Sequence, residues 1–89
     1  MNAETLALHV LRALAEAQVQ GSAMNLELLA AAIRVRRRDL RGTVTALHAA
    51  GLVDALRMRV TLRGFALGAA LSKQPLPPLR TLRAAVAAA

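Results

Sequence analysis

The sequence predicts a mainly α-helical domain with one small β-hairpin, and three observations lead there. Hydrophobic residues make up 56% of the 89 positions, yet Phe65 is the only aromatic one. The apolar content is therefore carried largely by alanine and leucine, both strong helix formers. Apolar positions recur at helical spacing as far as Ala50, and beyond Gly51 the period shortens to two over Met58-Arg59-Val60-Thr61.

Residues 3–18 read as the first helix. Leu6, Val10, Ala13, Leu14 and Ala17 form one apolar stripe, and Leu8, Leu11 and Ala15 widen it beyond what a single partner surface needs. Gly21-Ser22 ends the pattern. Asn25 is placed to cap a short second helix that ends near Ile33, with Glu27 in its first turn and Leu26, Leu29, Ala30 and Ile33 on its apolar face. A third helix runs from about Arg37 to Ala50, with Leu40, Val44 and Leu47 on one face and Gly51 as its stop. Leu52-Val53 and Met58 to Thr61 form two short strands, and the segment between them lacks an Asn-Gly or Gly-Gly turn. Thr61 then caps a fourth helix over 62–71 that carries Phe65, Leu67 and Leu71.

Residues 1–71 make the domain, Ser72 to Pro78 a proline-stiffened linker, and 79–89 an extra C-terminal helix. In that last segment Leu79, Leu82 and Val86 form a heptad-like seam. Together with the surplus Leu8 and Leu11, it predicts a homodimer, because a small monomer rarely exposes so much contiguous apolar surface.

Charge is unevenly spread within the net +7. Residues 1–33 hold Arg12 against Glu4, Glu16 and Glu27, whereas residues 34–89 hold eleven basic residues against Asp39 and Asp54. So polarised a basic surface suits a polyanionic partner or a well-solvated face. Arg36, Arg37, Arg38 and Arg41 crowd the start of the third helix, where the macrodipole disfavours cations. Local rules tend to be broken where a segment does something else.

The stretch from Leu29 to Val53 then becomes specific. Leu29-Ala30 form a pair, Ile33 and Val35 flank a turn, Leu40 and Val44 face inward, and Leu47 precedes Gly51-Leu52-Val53. This resembles the winged helix-turn-helix of bacterial transcription regulators. Val60 to Leu67 is similar to the L-T-x-x-G-x-x-L that opens the next helix in the MarR-type group. The resemblance covers roughly residues 5–71. It implies a winged helix-turn-helix with an extra C-terminal helix, binding double-stranded DNA with some sequence specificity. The third helix would enter a major groove about 12 Å wide, and a dimer would set two such helices about 34 Å apart.

On that reading Arg37, Arg38, Arg41, Gly42 and Thr45 face the DNA, Arg34 and Arg36 grip phosphates from the turn, and Arg57 and Arg59 belong to the wing. The wing is short beside those of many relatives, so Arg57 and Arg59 are expected to contact phosphate rather than read the minor groove, or simply to discourage edge-to-edge pairing. Gly42 either admits a close DNA backbone or is drift. The sequence departs from the family pattern at three places, one of them Gly42 inside the third helix, where glycine costs about 1 kcal/mol relative to alanine. Arg34 stands where glycine is frequent, and Arg36 stands where a serine or threonine cap is usual.

Other classes are disfavoured. With no cysteine and only His9 and His48, there is no sign of a metal, a cofactor or a catalytic pair. Gly64-x-x-x-Gly68 resembles a helix-packing motif but in a soluble helix is more often chance. No apolar run reaches membrane-spanning length, and Glu4 stands where a secretory leader carries positive charge. A cytoplasmic, nucleoid-associated bacterial protein is expected. Its rivals are a winged-helix protein-docking module, to which the leucines of the first helix would contribute, and a binder of duplex RNA.

Overall fold

The computed structural model of the chain describes residues 3–76. The segment holding Leu79, Leu82 and Val86, and with it the expected C-terminal helix, lies outside the described residues. The element order is α1 (Ala3–Val19), α2 (Leu26–Ile33), α3 (Arg37–Ala49), β1 (Val53–Asp54), β2 (Arg59–Val60) and α4 (Leu62–Leu71). The fold is mainly α with one small antiparallel hairpin, as expected.

Helix boundaries follow their caps. Asn25 is extended, and its side chain accepts from the Leu28 amide at 2.7 Å. Thr61 caps α4 by accepting from the Gly64 amide at 3.1 Å. The Thr61 hydroxyl also donates to the Gly51 carbonyl at 2.7 Å, and its amide donates to the Leu52 carbonyl at 3.0 Å. One residue thus ties the exit of α3 to the start of α4. Gly51 takes the left-handed conformation at φ 77°, ending α3 in the way glycine does cheaply.

α1 is the centre of the molecule, with α2, α3, β2 and α4 all packed against it. The core gathers Leu6, Val10, Leu11 and Leu14 of α1, Leu29 of α2, Leu40, Val44 and Leu47 of α3, and the paired strand residues Val53 and Val60. Leu11 is 2% exposed. That overturns its assignment to a dimer surface: a helix wrapped on several sides buries more of its perimeter than one stripe. Leu8 is only partly covered.

Gly64 and Gly68 are a second correction. Both are buried, and a Cβ on Gly68 would lie 2.7 Å from the Ala15 Cβ and 2.7 Å from the Leu11 carbonyl oxygen. A Cβ on Gly64 would collide with the backbone of Leu52. The two glycines let α4 lie directly on α1 and on the entrance to the hairpin. Among the described residues no helix is long and apolar enough to cross a membrane.

Candidate nucleic-acid interface

The turn over residues 34–36 joins α2 to α3. Arg34 ends α2 in the left-handed region at φ 58° and ψ 51°, and its amide donates to the Ala30 carbonyl. The Val35 amide donates to the same carbonyl at 3.1 Å. A non-glycine residue held there costs about 1–2 kcal/mol. Arg36 occupies the N-cap of α3 in an extended conformation and makes no side-chain cap bond. The helix therefore begins with free amides and several cations at its positive end, partly offset by Asp39.

α3 is anchored from below by Leu40, Val44 and Leu47, which are 0%, 4% and 7% exposed. With that face committed, Arg37, Arg38, Arg41, Gly42 and Thr45 come to the surface, and all five are exposed, as are Arg34 and Arg36. Arg57 pairs with Asp54 at 3.9 Å, and among the described residues none of the turn or α3 arginines has an acidic partner. The Thr45 hydroxyl donates to the Arg41 carbonyl at 2.9 Å. Nothing lies within 4 Å of where a Cβ on Gly42 would sit, so packing does not require glycine there.

The hairpin pairs Val53 with Val60 and Asp54 with Arg59, leaving residues 55–58 as its loop. Met58 closes the loop in the left-handed region at φ 51°. Arg57 and Arg59 are exposed on this hairpin. Two residues that the sequence did not single out build it. Asp54 Oδ1 accepts from the amides of Leu56 at 3.1 Å and Arg57 at 3.3 Å, an Asx-type turn that Asp before three turn residues can signal. His48, exposed in the last turn of α3, also bridges that turn to the hairpin. Its Nδ1 lies 3.2 Å from the Ala55 amide and 3.1 Å from the Val53 carbonyl oxygen. A neutral ring accepts from Ala55, and a ring protonated at Nδ1 donates to Val53.

Among the described residues no group of His, Cys, Asp or Glu could hold a metal ion. A cleft of about 350 Å³ lies between the α1–α2 connection and Arg57, Met58 and Arg59. No family model, curated protein or solved structure matches this chain.

Proposed function

We propose that the chain is a winged helix-turn-helix that binds double-stranded DNA, with α3 as the recognition helix and the hairpin as a short wing, and that it serves as a small transcription regulator. One observation carries the proposal: Arg34, Arg36, Arg37, Arg38 and Arg41 are exposed together on a turn and helix start whose opposite face is locked into the core. Guanidinium groups offer bidentate contacts to guanine edges and to phosphates. A helix start with uncapped amides adds donors suited to a phosphate. The absence of tyrosine and tryptophan disfavours single-strand recognition by stacking.

The protein-docking alternative drew on surplus leucine along α1, and Leu11 is in the core. The homodimer now draws on the partly covered Leu8 and on the spacing of Leu79, Leu82 and Val86. Sedimentation of the wild type and of Leu82→Asp tests it: a dimer that becomes monomeric is expected, and a wild-type monomer removes the idea.

The DNA reading is tested by fluorescence anisotropy over a salt series. Each lost phosphate contact lowers the log–log salt slope by about 0.9. Each lost bidentate base contact costs about 1–3 kcal/mol on the preferred site. Arg34→Ala and Arg36→Ala are expected to act in the first way, and at least one of Arg37→Ala, Arg38→Ala and Arg41→Ala in the second. If the triple alanine variant at 37, 38 and 41 folds and binds duplex as the wild type does, α3 is not the recognition element. Competition with duplex RNA separates the two polyanions.

A further inference from the structure

Resting on the DNA-binding reading, we propose that Leu56 is an apolar wedge. It enters the minor groove, partly unstacks one base step and bends the duplex.

Leu56 is 94% exposed at the crest of the hairpin loop. The other apolar residues of this hairpin turn inward: Val53 and Val60 are core residues, and Ala55 and Met58 pack against the core. A single exposed leucine on a protein surface needs no explanation. Leu62, at 88%, is nearly as exposed, but Leu56 alone lies in the hairpin loop, between amides fixed in a turn and beside two exposed arginines. The Leu56 and Arg57 amides are both fixed on Asp54 Oδ1, Met58 closes the loop in a conformation unfavourable for a side chain, and His48 ties the hairpin base to α3. An apolar side chain is thus presented to water from a hydrogen-bonded turn.

The surroundings suit DNA. Arg57 follows immediately with its side chain 80% exposed, and Arg59 is exposed on β2. Cations beside an apolar tip are the pairing that minor-groove wedges use, the guanidinium groups holding phosphates while the apolar group parts the bases. The size of the feature also decides between partners. One leucine is far smaller than the patch a stable protein interface buries, and one side chain is a weak lipid anchor. A wedge needs one side chain only. Burial of one leucine is of the same order as the free energy needed to unstack one step. The site preferred at the wing is therefore a deformable pyrimidine–purine step, which kinks most easily.

The test uses the full chain and a duplex selected by it from a random library, with fluorophores at the ends to read bending and 2-aminopurine at the candidate step to read unstacking. The wild type is expected to bring the ends together and brighten 2-aminopurine. Leu56→Ala is expected to lose both signals and bind roughly tenfold more weakly with the same salt slope. Arg57→Ala is expected to lower the salt slope by about 0.9 instead. Leu56 is too exposed for its truncation to unfold the protein, and an unchanged melting curve verifies this. A wild type that binds the duplex without bending or unstacking it overturns the wedge and leaves the DNA reading standing, as does a Leu56→Ala variant that bends the duplex as the wild type does. A wild type that selects and binds no duplex overturns the DNA reading itself.

Discussion

The backbone of Leu52 occupies the space into which a side chain on Gly64 would grow. The Leu52 carbonyl is held there by the Thr61 amide at 3.0 Å, so it has little freedom to retreat. Gly68, one turn further along α4, meets α1 in the same way.

Alanine at either glycine should therefore destabilise the fold. Overpacking typically costs about 1–3 kcal/mol, and Gly64→Ala belongs at the upper end because the Leu52 carbonyl oxygen overlaps its Cβ position far more deeply than anything does at Gly68. For a domain of this size each kcal/mol lowers the melting temperature by about 4–8 °C. Gly42→Ala is the control in the opposite direction. The space is open there, and removing a mid-helix glycine should stabilise by about 1 kcal/mol. Thermal melts followed by far-UV circular dichroism read all three. If Gly42 admits a close DNA backbone, the stabilised variant will bind duplex less tightly, and unchanged binding identifies the glycine as drift.

Arg34→Gly should raise stability by about 1 kcal/mol, since it relieves the left-handed conformation, with part of the gain offset by glycine's greater freedom when unfolded. The same variant should lose a phosphate contact and lower the salt slope of DNA binding by about 0.9. Stability and affinity moving in opposite directions would mark Arg34 as a residue kept for its charge. A melt no higher than that of the wild type would show that the turn carries no strain.

Arg36→Ser gives α3 the cap it lacks and removes a cation from the positive end of the helix dipole. A gain of about 1 kcal/mol in chemical denaturation is expected. No gain would mean that another group already serves the free amides.

Asp54→Ala should loosen the hairpin loop while leaving the helices intact. The two amides it serves are exposed, so water replaces the lost acceptor and the global loss should stay near 0.5–1 kcal/mol, as an order-of-magnitude figure. The local effect should be larger: hydrogen exchange at Leu56 and Arg57 should accelerate while that of the α1 core does not. Unchanged exchange at those two amides would mean that the loop holds its shape without Asp54.

Much of this architecture was legible from local chemistry. Asn25 and Thr61 are cap residues by type and position, and both cap. Leu40, Val44 and Leu47 mark the inward face of α3 by spacing alone, which left the arginines outward. Contacts between elements were less legible. Gly64 and Gly68 look like chance because a glycine spacing does not say which helix it will meet. His48 and Asp54 act on backbone groups of the hairpin, and which of those groups are left to bind depends on the strand register. Leu11 reads as surplus because a stripe argument assumes one partner surface, whereas α1 has several.

The closure of α4 onto α1 has a consequence for how the protein is made. Ala15 and Gly68 touch across most of the described chain, and α4 forms the most extensive helix pairing with α1. Such distant segments meet only after a long loop has closed, which slows folding relative to contacts between neighbours. During synthesis, the face of α1 that α4 covers has no partner until Leu71 has left the ribosome. Nascent chains stalled before that point should be digested readily by protease, and chains stalled well after it should resist. Resistance before α4 emerges would show that α1, α2, α3 and the hairpin fold without it.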